Sequence, residues 1–228
     1  MDNAQTPPQP QPDPPASRRW WPLVAAALVV FAVGVAVGLL VPAVRAPGDT
    51  SADASFARDM ATHHAQAVEM SMIVHARTDD PEVATLAMDI ALTQQAQIGI
   101  MRTWLTQWGL PPTGSQPAMA WMNDMNGMDH GGADATGAAP MPGMATKAEI
   151  TQLRETTGRN LDIRFAELMI RHHRGGLAMV EAILAAEPRP EVRDLAARMR
   201  AGQQAEITAL QKLLDRLHST ASTDASTN

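Results

Sequence analysis

The chain contains one helix-forming segment twice. Residues 56–70 read FARDMATHHAQAVEM and residues 165–179 read FAELMIRHHRGGLAM, so Phe56, Met60, His63, His64 and Met70 return 109 positions later as Phe165, Met169, His172, His173 and Met179. The register extends well past the motif. Pro81-Glu82-Val83 returns as Pro190-Glu191-Val192, Leu86-Ala87 as Leu195-Ala196, Gln94-Gln95-Ala96 as Gln203-Gln204-Ala205, and Ile98 as Ile207. Chance does not hold one offset from Phe56 to Ile98, so a structural unit has been duplicated. The fold must accommodate two copies of that unit, each burying the same face.

The unit reads as a helical hairpin. Strong helix formers dominate it, while Cys and Tyr are absent and Phe occurs only three times, which points to an all-α domain. The first hairpin is expected over 52–77 and 81–108, the second over 161–186 and 190–218. Pro81 and Pro190 suit a first helical turn, and Gly109 followed by Pro111 and Pro112 is a stop signal. Thr146 and Glu149 have capping-box spacing, which predicts a short helix over 147–157. Two hairpins joined by a long connection, 110–146, give a ferritin-like four-helix bundle across 51–218. A simple up-down bundle with an insertion satisfies the same pattern. The Ser/Thr-rich residues 219–228 are expected to be a disordered tail.

On a helix at about 100° per residue, Phe56, Met60, His63, Ala67 and Met70 share one stripe with His64 on its flank. Phe165, Met169, His172, Gly176 and Met179 form the same stripe in the second copy. The stripe is apolar apart from His, so it should face the interior, where Ala67 and Gly176 make room. Facing stripes would converge up to four imidazoles and several thioethers. Core packing accounts for retaining Phe and Met, but it gives no reason to retain two adjacent histidines in both copies. A single His-His pair would be read as a surface or hydrogen-bonded pair; the doubled pair points to a ligand role.

The connection holds a second candidate set. It reads MAWMNDMNGMDHGG and then MPGM, with Met119, Met122, Met125, Met128, His130, Met141 and Met144. An exposed linker should not accumulate an apolar residue. One reading is a segment docked over the bundle through Trp121, Met122 and Met125. The other is a loop that wraps an ion, because thioether with imidazole is a soft donor set suited to Cu(I) and Ag(I).

Several chemistries are disfavoured. A carboxylate-bridged di-iron centre needs Glu from two helices and Glu-x-x-His from two others. Here the second helices offer Gln94, Gln95, Gln203 and Gln204 with only Glu206 nearby. There is no His-Glu-x-x-His for a zinc hydrolase and no Gly-x-Ser-x-Gly for a serine nucleophile. The absence of Cys excludes disulfides and thiolate sites. With a net charge of −6 and scattered basic residues, a nucleic-acid partner is set aside. No organic cofactor and no enzymatic activity are expected, and a homo-oligomer is left open.

At the N-terminus, residues 1–19 are expected to form a disordered cytoplasmic tail rich in Pro and Gln, ending in Arg18-Arg19. Trp20-Trp21 and an uncharged run from Leu23 to Val44 follow. About 20 apolar helical residues cross the ~30 Å hydrocarbon core, so 20–44 is expected to be a single membrane anchor with its N-terminus in the cytoplasm. A cleaved signal peptide is the alternative. Either way the domain after it is exported, at the membrane or secreted.

The two Phe-x-x-x-Met-x-x-His-His stretches and the Met-rich stretch between them resemble the domain-of-unknown-function family numbered 305, from about Ser51 to Leu217. That resemblance implies a ferritin-like fold and an exported copper-handling role. It also implies metal binding by His63, His64, His172 and His173, with Met60, Met169, Met70 and Met179 in support. The segment QQAQIGIMRTWL, 94–105, fits the same pattern. Two departures stand out: Gly175-Gly176, which should loosen the second His-His helix, and Arg171, which sets a cation beside His172. The expectation is therefore a protein that binds copper as Cu(I), or silver, through the paired histidines with Met122, Met125, Met128 and His130 of the crossover. Its affinity should fall at acid pH, since protonated imidazole does not ligate. The competing expectation is a structural or interaction module of the cell envelope without bound metal.

Overall fold

The helix boundaries follow from local chemistry. The computed structural model describes residues 20–122 and 141–226, with backbone only for 38–45 and 220–226. Helix α2 spans Ala52–His75, and the Ser51 side chain caps it by accepting from the Ala54 amide. Helix α3 spans Pro81–Gln107, and Asp80 accepts from the amides of Glu82 and Val83 while Pro81 fills the first turn. These caps satisfy donors that a helix start leaves orphaned. Helix α3 ends in a Schellman motif, with Leu110 N–H donating to Leu105 and Gly109 N–H to Thr106. Gly109 adopts φ +70° there, a conformation that costs glycine little.

The second hairpin repeats the plan. Helix α4, Lys147–Glu155, opens with the expected capping box between Thr146 and Glu149. Helix α5 spans Gly158–Ala185, starting a few residues ahead of the expected 161, and helix α6 spans Pro190–Ser226. The expected end of α6 at 218 is corrected: it runs on to Ser226, because no Gly or Pro interrupts 219–226 and helix propagation is easy once begun. Among the described residues there is no strand.

The two hairpins meet along α2 and α5. Phe56 and Met60 near the start of α2 share an apolar cluster with Met179, Val180 and Ile183 near the end of α5. Ala67 and Met70, further along α2, share another with Phe165, Ala166 and Met169 near the start of α5. The helices therefore run antiparallel, with the repeat-equivalent motifs back to back. Helix α3 sends Ile90 to one cluster and Ile98 to the other; α6 does the same with Leu210 and Met199. Between the two clusters lie His63, His64, His172, His173, Gln94 and Gln203, all buried. The interior is thus two apolar halves separated by a polar belt at mid-height.

The beginning of the crossover docks on the bundle rather than standing off it. Met119, Trp121 and Met122 are buried in the cluster with Met60 and Met179. Trp121 meets Phe56 edge-on at 5.9 Å, a favourable aromatic geometry. The buried Asp59 carboxylate accepts from the Met119 amide at 2.8 Å and the Trp121 indole N–H at 2.9 Å.

Residues 1–45 form a separate unit from 46–228. Trp21–Arg45 is one helix, α1, but the expected membrane span over 20–44 is not supported by the described residues. Among them, no helix is long and apolar enough to cross a membrane. The expected tail over 1–19 lies outside the described residues.

Replacing Asp59 with Ala would strand two buried donors. The variant should lose about 1–3 kcal/mol of stability, read as a lower urea midpoint with an unchanged slope. An unchanged midpoint would show that Asp59 does not hold the crossover down.

Candidate metal centre

Antiparallel packing of two identical motifs sets equivalent residues against each other. The His63 and His172 rings face across the α2–α5 seam with centroids 3.8 Å apart and planes inclined by 34°. His64 lies 6.4 Å from His63, and His173 lies 6.3 Å from His172. All four rings are buried.

Three of the four rings have one nitrogen engaged. His63 Nε2 lies 3.0 Å from the Pro142 carbonyl oxygen. His64 Nε2 lies 2.6 Å from Gln97 Oε1, and His173 Nε2 lies 2.6 Å from Glu206 Oε2. The acceptors at His63 and His173 can only receive a proton, so in the neutral rings the hydrogen sits on Nε2 and Nδ1 carries a bare lone pair. Among the described residues, His63 Nδ1, His64 Nδ1, His173 Nδ1 and both nitrogens of His172 have no hydrogen-bond partner. Five unpartnered imidazole nitrogens converge on one belt, together with unpartnered side-chain oxygens of Gln94 and Gln203. A buried polar atom left without a partner costs about 1–3 kcal/mol, so this concentration calls for a function.

Burial dominates the protonation of His63, His64 and His172. Desolvation pushes His63 down to about 4, with the Pro142 carbonyl opposing it. Desolvation and then the neighbouring His63 push His64 down to about 3. His172 is lowered well below the usual range, first by burial and then by the other three histidines. Imidazoles held neutral are ligand-ready.

A short strap closes the belt on one side. Gln66 grips Ala145 twice, donating to its carbonyl at 2.8 Å and accepting from its amide at 2.7 Å. Gly143, at φ +74°, lies against the α5 backbone. A Cβ on Gly175 would collide with the Pro142 carbonyl oxygen, and one on Gly176 would meet Gln203 Oε1 at 2.6 Å. The expectation that Gly175-Gly176 loosens the helix is therefore corrected. Helix α5 is unbroken through both glycines, and their bareness admits the strap and Gln203. The reading of Arg171 is corrected too: its guanidinium forms a two-pronged pair with Glu149 at 2.8 and 2.7 Å, held by exposed α4 rather than by the histidines.

The thioethers divide by distance. Met60 and Met169 stand one helical turn from the histidine pairs, whereas Met70 and Met179 stand two turns away, about 10 Å along the axis. All four are buried. Met122 lies in the apolar cluster with Met60 and Met179; Met125, Met128 and His130 lie outside the described residues. Among the described residues, no three or more His, Asp or Glu side chains stand together as a set that could hold a metal ion. Gln97, Glu206, Gln66 and the Pro142 carbonyl do not stand out in the motif. Gln97 and Glu206 are detectable from the repeat, since each lies 33 residues after its histidine, His64 or His173.

The family model described as Domain of unknown function (DUF305) matches residues 53–214. A DUF305 protein from Streptomyces coelicolor, described as a candidate secreted protein, is 44% identical, covering 74% of this chain and 94% of its own, with a TM-score of 0.65. A DUF305 fragment from Deinococcus radiodurans is 32% identical, covering 75% and 99%, with a TM-score of 0.60. CopM in its Cu(II)-bound form is 26% identical, covering 72% and 96%, with a TM-score of 0.52. Its Ag-bound form is 25% identical over the same shares, also with a TM-score of 0.52. No curated protein matches the chain.

Two outcomes are expected of the belt. Gly175→Ala must displace a backbone carbonyl and should lose about 1–3 kcal/mol. Gly202→Ala in α6, where an added Cβ meets nothing within 4 Å, should gain up to about 1 kcal/mol; chemical denaturation of the pair separates strap contact from general helix effects. With pH, His63 and His64 carry folded values depressed from the ordinary 6.5 to about 4 and about 3. The unfolded chain therefore binds more protons in that window. Stability should be full above pH 6.5 and fall as pH drops toward 4 and 3, by about 1.4 kcal/mol per pH unit for each histidine. Flat stability between pH 7 and 4 would contradict buried neutral rings.

Proposed function

This chain belongs to the DUF305 family, and on that premise we propose that it binds copper as Cu(I) outside the cytoplasm and sequesters, buffers or delivers it, without catalysing a reaction. The observation that carries the reading is the set of five unpartnered imidazole nitrogens buried in one belt. Coordination would use one lone pair from each ring and offset the cost of desolvating it. His63, His64 and His173 would ligate through Nδ1 and His172 through either nitrogen. Met60 and Met169 are the thioethers one turn away; Met70 and Met179 line the apolar walls, and Met122, Met125, Met128 and His130 of the crossover would capture the ion. Imidazole and thioether donors without thiolate or clustered carboxylate favour a soft ion, Cu(I) or Ag(I). The Cu(II)- and Ag-bound forms of CopM support a metal cargo. We read the two-hairpin arrangement as ferritin-like.

Export is supported by helix α1, whose described apolar side chains, such as Leu23, Leu28 and Phe31, are exposed behind Arg18-Arg19. Burial also moves the expected acid sensitivity. Because His63 and His64 stay neutral well below 6.5, metal should be retained through mildly acid pH and released only as the belt itself protonates. A second reading, a register-fixing polar belt with no metal, is favoured by the pairing of the donors rather than their grouping in threes.

The purified full chain should be titrated with Cu(I) against a competing chelator, beside a variant carrying His63→Ala, His64→Ala, His172→Ala and His173→Ala, with helicity checked in both. Tight binding in the native chain, lost by a factor of a thousand or more in the variant, is expected. Equal weak binding in two folded proteins would sink the metal reading and leave the structural one.

A further inference from the structure

The duplication is broken at the position that partners the flanking histidine of each copy. His64 and Gln97 in the first hairpin correspond to His173 and Glu206 in the second, with the same 2.6 Å contact in each. An amide in one copy is a carboxylate in the other. Among the described residues, Glu206 is the one carboxylate hydrogen-bonded to a belt histidine. Its side chain is only 20% exposed, and that of His173 is fully buried.

We infer that Glu206 sets the charge of the ion the belt accepts: a single carboxylate matches a monovalent cation, and Gln97 in the equivalent place keeps divalent ions out. This rests on the reading that the belt holds a metal ion. The reason is the different charge dependence of two opposing energies. Desolvating an ion into a buried site costs an amount that grows with the square of its charge. Its attraction to one fixed carboxylate grows only in proportion to that charge. With one carboxylate, a monovalent ion is neutralised, while a divalent ion retains an uncompensated charge among apolar walls. A second carboxylate at 97 would shift the balance toward divalent ions.

Glu206 also acts through His173. Its carboxylate can only accept from Nε2–H, which fixes the ring with its Nδ1 lone pair free and makes that nitrogen a stronger donor. The Gln97 amide accepts from His64 without adding charge. Glu206 is thus a positioning residue whose effect is electrostatic as well as geometric, and the second copy supplies the stronger half of the belt.

Ag(I) and Zn(II), both redox-inert and both ligated by imidazole, separate ion charge from redox chemistry. The full chain, Glu206→Gln and Gln97→Glu should each be titrated with both ions by chelator competition, alongside the four-histidine variant and circular dichroism. Glu206→Gln is nearly isosteric and makes the second hairpin resemble the first at this position, so it should fold. It should weaken Ag(I) binding by about tenfold or more and lower the ratio of Zn(II) to Ag(I) affinity. Gln97→Glu should raise that ratio by about tenfold. A ratio unchanged within about twofold in the folded variants, with Ag(I) still bound through the histidines of the native chain, would overturn the charge-matching inference alone. Ag(I) binding that is equally weak in the native and four-histidine chains would remove the metal reading and this inference together.

Discussion

The contact of His63 with His172 across the antiparallel α2–α5 seam is the feature on which the interior depends. Both hairpins bring the same face to that seam, so a residue near its midpoint meets its own repeat-equivalent. Two neutral rings can lie 3.8 Å apart; two imidazolium ions in the same place would repel in a low-dielectric surrounding. Burial keeps His63 and His172 neutral, and neutrality makes close packing tolerable. Apolar clusters above and below complete the bundle on either side. The polar belt therefore sits where the core of an ordinary bundle would be most apolar, and hydrogen bonds satisfy only part of it.

The crossover and its return segment finish the site asymmetrically. Asp59 fixes the outgoing segment through Met119 and Trp121, and Gln66 fixes the returning one through Ala145. Both come from α2, the first-copy helix. The second-copy helix receives the strap instead, through the bare surface at Gly175. That division explains why Gly175-Gly176 occurs in the second repeat only, where the first has Gln66 and Ala67 in the equivalent positions: one helix grips and the other yields space. A bundle built from two equal hairpins thus becomes a site with two unequal faces, closed by Pro142 on one side and carrying Glu206 on the other.

Much of this was legible from the repeat. The helix starts at Pro81 and Pro190, the capping box at Thr146 and Glu149, the glycine stop at Gly109 and the inward histidine stripe all depend on local propensity and periodicity. Those are properties of residues close in sequence, and they survive in the structure. The continuation of α6 past 218 escapes a sequence reading because Ser and Thr are only moderately poor helix formers and no breaker follows them. Arg171 misleads because a neighbour in sequence is not a neighbour of the ring: its side chain leaves the helix toward Glu149, 22 residues away.

The amino-acid sequence by itself determined that the chain is helical, that two copies of one hairpin must pack, and that each copy turns paired histidines and methionines inward. Periodicity carries that information because it is set by the 3.6-residue turn of each helix alone. Only the tertiary structure decided the rest: that His63 faces His172, that Gln97 and Glu206 hold the flanking rings, and that the Pro142 carbonyl covers the belt. Each of these is a meeting of residues from different elements, 33 to 79 positions apart where they hydrogen-bond. No local rule sets such distances; they follow from the antiparallel docking of the hairpins and from burial, which also decides that His63, His64 and His172 stay neutral.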